Sequence, residues 1–311
     1  MSQPESAIAD AQAGGRNGGT PPRGKEPLAK LAQRYGLRRA IARPSLPVYL
    51  RQLWERRHFI KTYATSRNVS KYSNSMLGQL WQILTPLLNA LIYWLMFGLI
   101  LGASNDITNY AAFLITGMFV FTYTQRSVTG GAKSISGNLS LIRALHFPRA
   151  ALPLAYTIQE LQQLLISMGI LVGLVLITQE PVTVYWLLIP VALILQSCFN
   201  VGASLVLARV GATARDLNQL LPFIMRTWLY TSGVFFSIQD KVVESANFPQ
   251  WIADVMYFNP AAAYIEFMRD ILIQSHPPRP GIWIVCVFWA VFALFFGFWY
   301  FWRAEERYGR G

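Results

Sequence analysis

The sequence predicts an all-α polytopic membrane protein: six transmembrane helices, an amphipathic interface helix before them, and a re-entrant helix pair on the outer side. Three observations carry this. Of the 311 residues, 53% are apolar and only 14% are charged, whereas a soluble domain carries about 25% charged residues. Apolar runs near the roughly 20 residues that cross a bilayer as a helix recur along the chain. Finally, the net charge of +12 is concentrated at one end, where residues 1–75 hold 14 Lys/Arg against 4 Asp/Glu. The aromatic and aliphatic content excludes disorder for most of the chain.

Residues 1–44 form a basic segment whose first 28 residues lack an aliphatic cluster and are expected to be disordered. No apolar run follows the charges as it would in a secretory signal. Residues 45–75 hold an interface helix and a linker. Ser45 is placed as its N-cap and Pro47 in its first turn. Tyr49, Leu50, Leu53, Trp54 and Ile60 then share a face, with Arg51, Gln52, Glu55, Arg56 and Arg57 turned away, the pattern of a helix lying in the membrane interface. Phosphates of nucleic acid or an anionic inner leaflet both attract such charge; the apolar remainder selects membrane lipid and excludes nucleic acid.

Within residues 76–302, passes are placed at 80–101, 110–127, 154–177, 184–207, 217–236 and 282–302. Pro86 and Pro222 fall inside helices, which membrane spans tolerate. The positive-inside rule orients them. Arg126, Lys133, Arg143 and Arg149 mark the loop between passes two and three as cytoplasmic. Acid excess marks residues 237–281 as outer, and the tail 303–311 is cytoplasmic. The outer segment contains Trp251 to Phe258 and Ala261 to Ile273, split by Asn259-Pro260, each too short to span.

Motifs for chemistry are missing. Gly130-Gly131-Ala132-Lys133-Ser134 lacks the phosphate-loop spacing and is read as a flexible cytoplasmic turn. His58, His146 and His276 show no metal spacing. Cys198 and Cys286 are read as packing residues, and Gly169 with Gly173 as a close helix contact. Glu160 and Arg226 lie within passes, to be satisfied by each other or by backbone and water.

Several motifs nevertheless coincide. Leu77-Gly78-Gln79-Leu80-Trp81 through Pro86 opens the first pass, and the inner loop carries Asn138-Leu139-Ser140-Leu141-Ile142-Arg143 and Phe147-Pro148-Arg149. Ala214-Arg215-Asp216-Leu217-Asn218-Gln219 precedes the fifth pass, and Phe258-Asn259-Pro260 and Arg269-Asp270 close the outer segment. Over residues 45–302 the order resembles the ABC-2 type permeases, most closely the membrane subunits of O-antigen and other lipid-linked polysaccharide exporters, and in its basic N-terminal extension the actinobacterial galactan exporter. The resemblance implies a homodimer in the cytoplasmic membrane, with both termini cytoplasmic and two cytoplasmic ABC ATPase subunits attached. The ATP and Mg²⁺ belong to those subunits, so this chain is a transport subunit that binds no cofactor and catalyses nothing. It further implies an ATPase-coupling helix over Asn138, Leu141, Ile142, Arg143, His146 and Phe147, and an external gate including Trp251, Phe258, Asn259 and Pro260. At Gly233 the sequence departs from the family, where a proline often follows the serine.

Sugars have apolar faces and many hydroxyls, so a glycan chain can slide along aromatic rings. Tyr93, Trp94, Phe97, Phe121, Tyr123, Phe223, Trp228, Tyr230, Phe235 and Phe236 are placed along such a path; for any one of them the alternative is a lipid-facing ring. The alternatives for the whole chain are an ABC-2 permease for a drug or small lipid, and a membrane enzyme of lipid-linked glycan synthesis.

Overall fold

The computed structural model describes residues 44–73, 75–100, 109–145, 147–178, 181–214, 216–238, 249–273 and 279–308. The segment expected to be disordered lies outside them. Among the described residues every regular element is helical. The α-helices are α1 (Leu46–Glu55), α2 (Arg57–Tyr72), α3 (Trp81–Tyr93), α4 (Tyr110–Ser134), α5 (Leu139–Ala144), α6 (Ala151–Ile177), α7 (Ile189–Thr213), α8 (Leu217–Thr231), α9 (Gln250–Phe258), α10 (Pro260–Leu272) and α11 (Pro280–Trp302).

Three helical segments are long and apolar enough to cross a membrane: Ala151–Ile177, Val184–Thr213, which is α7 with the 3-10 turn before it, and Gly281–Trp302. The protein is an all-α membrane protein. The other expected passes take different forms. α3 contains Pro86 and continues into a π-helical stretch, Trp94–Ile100. α4 extends to Ser134, seven residues beyond the expected pass, because its polar end packs inside the protein rather than facing water. α8 stops at Thr231, where Gly233 adopts φ +65°. A proline cannot take that conformation, so the glycine at the position departing from the family wording is what permits this turn.

Two further expectations are corrected. The interface helix breaks at Arg56 into α1 and α2, and Ser45 makes no side-chain cap, although Pro47 lies in the first turn. Gly130-Gly131-Ala132-Lys133-Ser134 is not a turn but the last turns of α4. Its glycines let neighbours in: a Cβ on Gly131 would meet Ser204 Oγ at 2.1 Å, and one on Gly130 would meet the Tyr156 ring at 2.8 Å.

The core follows the same logic. With no water to expel between helices in a bilayer, packing rests on close van der Waals fit, which small residues permit. α7 and α11 meet backbone to backbone, where a Cβ on Gly202 would lie 2.1 Å from the Ala293 carbonyl oxygen and one on Gly297 2.2 Å from that of Gly202. The expected contact glycines, Gly169 and Gly173, have nothing within 4 Å of an added Cβ. Phe113, Phe121, Leu171, Ile265 and Phe267 form the main core, and a second cluster of Tyr49, Leu53, Ile60, Ile135, Leu152 and Phe301 joins α1 and α2 to the bundle. Cys286 is buried and Cys198 partly so, both as free thiols. Large apolar side chains such as Leu87, Ile224 and Phe295 face outward on α3, α8 and α11.

Candidate coupling face, cavity and outer gate

At one end of α4 the first two helices, the 139–147 segment and the chain's last turn are tied together. α1 buries Tyr49 and Leu53 against the bundle, while Leu50 and Trp54, expected on the same face, are exposed, Trp54 at 70%. The Tyr49 hydroxyl donates to Glu305 Oε2 at 2.9 Å and accepts from the Ala150 N–H at 3.1 Å. Glu305 Oε1 accepts from the Arg149 N–H at 3.0 Å, and the Arg149 guanidinium donates to the Glu305 carbonyl. Burial pushes the Glu305 carboxyl above the usual carboxylate range despite these donors. Burial, and then the Glu305 charge, push the Tyr49 hydroxyl well up. Trp302 Nε1 donates to the Pro44 carbonyl at 3.0 Å.

The short α5 hangs from this assembly. Asn138 accepts from the Tyr63 hydroxyl of α2 at 2.8 Å and donates to the Ser134 carbonyl ending α4 at 2.7 Å. Phe147 packs on Phe59 with ring centroids 5.4 Å apart. Ile142 is buried and Leu141 partly so, which leaves Leu139, Arg143 and Leu145 toward the outside. His146 lies outside the described residues. α5 is thus a short, two-point-anchored helix with a small exposed face.

Between α3, α4, α6 and α8 lies a cavity of about 330 Å³. Glu160 and Arg226 both line it, but Glu160 pairs with Arg126, Nη1 to Oε2 at 4.0 Å, rather than with Arg226. Gln163 reaches the Gln82 carbonyl with its amide nitrogen at 2.6 Å.

At the other end of α4 stand the two short helices expected as a re-entrant pair. Asn259 makes the break: its Oδ1 caps α10 through the Ala261 N–H at 3.1 Å and accepts from Trp228 Nε1 at 2.8 Å, and Pro260 starts α10. α9 is partly exposed, with Trp251 and Phe258 outward, whereas α10 is buried along its length. Arg269, wholly buried, is its anchor. Its five N–H groups serve the carbonyls of Phe113, Gly233 and Val234 and the Glu266 carboxylate, at 2.7–3.2 Å. Gly117 makes room, since a Cβ there would lie 2.7 Å from Arg269 Nη2. Arg279 bridges Glu266 at 2.5 Å and Asp270 at 3.1 Å. Four of the charges in the 237–281 segment, Glu266, Asp270, Arg269 and Arg279, are therefore two buried acids held by two bases.

The aromatic set is divided. Phe121, Tyr123 and Phe235 are buried in the single chain, Phe121 edge-on to Trp228 and Phe235 against Tyr93 and Tyr230. Phe121 and Phe235 are core residues of the single chain, because the packing of α4 and of the 232–237 turn encloses them. Trp94, Phe223 and Tyr230 are exposed, Trp228 and Phe236 are partly so, and Tyr93 and Tyr123 line the cavity. The Phe97 side chain lies outside the described set. Sequence reasoning missed the Tyr49–Glu305 link, the Arg126–Glu160 pair and the burial of Arg269. Only the last left a trace, as an Arg-Asp pair beside an apolar run. Among the described residues no His/Cys/Asp/Glu cluster could hold a metal.

Known proteins share this chain's pattern. The family model described as ABC-2 type transporter matches residues 60–273, from the start of α2 to the end of α10. The O-antigen export system permease protein RfbA of Myxococcus xanthus is 26% identical over 229 residues, 74% of this chain and 85% of the relative. The protein of the same name from Klebsiella pneumoniae is 28% identical over 206 residues, 66% and 76% of the two chains. The matched span takes in the 139–147 segment, the cavity and the outer pair together, and by it the chain belongs to the ABC-2 type transporter family.

Proposed function

We propose that the chain is the transmembrane subunit of an ATP-driven exporter of a lipid-linked polysaccharide, galactan or an O-antigen-like polymer. It works as a homodimer with two cytoplasmic ATPase subunits, in six passes across the cytoplasmic membrane with both termini inside. The observation that carries this is the similarity to permeases of O-antigen export systems over most of both chains. The geometry fits the reading. α5, anchored to α2 and α4, gives a motor subunit a small handle at one end, and the α9–α10 pair closes the other. The exposed rings Trp94, Phe223 and Tyr230 offer sequence-tolerant stacking surfaces between two copies. ATP is hydrolysed on the partner subunit, and the motor's strokes reach the passes through α5 and α1.

Affinity purification of the full chain from its native membrane tests this. The expected result is an ABC ATPase subunit in stoichiometric amount, lost when Leu139, Arg143 and Leu145 are changed together to Asp, Glu and Asp. Purified chain that brings no ATPase and by itself transfers sugar to a lipid acceptor would make it an enzyme of glycan synthesis instead.

A further inference from the structure

The cavity between α3, α4, α6 and α8 gathers charge among apolar helices. Two arginines line it, the partly buried Arg126 from α4 and Arg226 from α8, which is exposed in the single chain, against one acid, Glu160. The Arg126–Glu160 separation of 4.0 Å is at the outer limit of an ion pair and leaves Arg126 most of its donors. Arg226 has no ion pair or hydrogen bond among the described residues. Arg67 and Lys71 of α2 also act electrostatically on Glu160, so its negative charge is already answered. A cation held in a membrane segment without a partner is costly and marks a ligand pathway.

We propose that this cavity binds the phosphoryl group of a lipid-phosphate-linked sugar, with Arg126 and Arg226 on its oxygens. The inference rests on the reading of the chain as a permease for a lipid-linked glycan and names the part of that substrate recognised here. The arginine fork matches phosphoryl oxygens in a two-point geometry. A neutral sugar alone leaves Arg226 unanswered and Arg126 with only its 4.0 Å pairing to Glu160, and a cationic drug meets a net positive wall. The remaining polar groups suit the sugar next to the phosphate. Gln163 Oε1 is buried with no hydrogen-bond partner among the described residues, free to accept from a hydroxyl, and Asn89 and Gln125 line the same cavity. The volume of about 330 Å³ holds a headgroup, not a polymer. The site therefore reads the junction that every substrate molecule shares, whatever its glycan length.

The test measures binding to the full chain in lipid nanodiscs, with geranylgeranyl diphosphate, geranylgeraniol and inorganic pyrophosphate as probes. The diphosphate lipid is expected to bind at least about tenfold more tightly than the alcohol. Arg126→Gln and Arg226→Gln are each expected to weaken it by about tenfold, one charge-assisted hydrogen bond's share, with alcohol binding unchanged. Arg226→Gln removes no contact of the fold, and Arg226→Lys, which keeps the charge but not the fork, is expected to fall between. Arg51→Gln, on the exposed face of α1, is expected to change nothing. Competition by pyrophosphate assigns recognition to the phosphoryl group itself; failure to compete, with both arginines still required, assigns it to the group as carried by a lipid. Equal binding of alcohol and diphosphate, or full diphosphate affinity in both Gln variants, overturns the site. The permease reading would survive that result if depleting the protein still trapped lipid-linked polymer inside the cell.

Discussion

Tyr49 and Glu305, 256 residues apart in sequence, are joined by a 2.9 Å hydrogen bond inside the protein. Through it the first described helix, the start of α6 at Ala150 and the last turn of the chain form one unit. Tyr49→Phe would leave the Ala150 N–H without its acceptor and Glu305 Oε2 without the Tyr49 donor, a loss of about 1–3 kcal/mol for a buried unmade bond. A lower apparent melting temperature in detergent is the expected reading. Trp54→Phe, at an exposed position of the same helix, should stay within about 0.5 kcal/mol.

The same carboxyl makes stability depend on pH. Burial raises the Glu305 pKa in the folded chain above the roughly 4.3 of an unfolded glutamate. Between those two values the folded state holds more protons than the unfolded one, so the Glu305 contribution increases as pH falls and is lost as pH rises through the raised value. Thermal unfolding followed from pH 7 down to about pH 4.5 should therefore show a stabilising component in the native chain that Glu305→Gln lacks. An identical pH profile in both proteins would show that Glu305 titrates normally.

Arg269 is the position where one substitution should damage the outer pair most. Arg269→Met removes the donors of three backbone carbonyls and one of the two cations on Glu266, which keeps Arg279; each buried acceptor left unsatisfied costs about 1–3 kcal/mol. Gly117→Ala attacks the same contact from the other side, because its Cβ would lie 2.7 Å from Arg269 Nη2. Both variants should increase protease cleavage around α9, checked by limited proteolysis of membrane vesicles. Asp254→Asn, on α9 outside this cluster, should not.

Helix packing gives a paired comparison. Gly202→Ala and Gly297→Ala each drive a methyl group into a backbone carbonyl of the facing helix, overpacking of the kind that costs about 1–3 kcal/mol or more. Gly169→Ala and Gly173→Ala meet nothing within 4 Å among the described residues and should be neutral to folding. Size-exclusion profiles and melting temperatures of the four proteins distinguish them.

These positions also show how far the sequence could be read. Apolar runs and the Asn259-Pro260 break announce α6, α7, α9, α10 and α11, because span length and helix punctuation are local properties. The interface helix was legible in its apolar face. Its break at Arg56 was not, since nothing in the local propensity of Glu55 to Arg57 demands one. Gly130-Gly131 reads as a turn in sequence because a glycine pair looks the same whether it bends the chain or admits Ser204 and Tyr156. In sequence Arg269 and Glu266 count only toward the charge of the outer segment, and only tertiary folding, which presents three carbonyls at one point, buries them. Of the candidate sites, the Asn138 anchor and the Asn259 cap stand on residues singled out beforehand. The Arg126–Glu160 pair joins helices whose facing was not fixed by any spacing.

The proposed function has this chain carry a finished lipid-linked polymer across the membrane. The most direct measurement is depletion of the protein in its native cell, followed by extraction and sizing of lipid-linked glycans on each side of the membrane. Export requires full-length polymer to accumulate on the cytoplasmic side while its outer product disappears. Absence of the polymer from both sides would place the protein in synthesis and not in export.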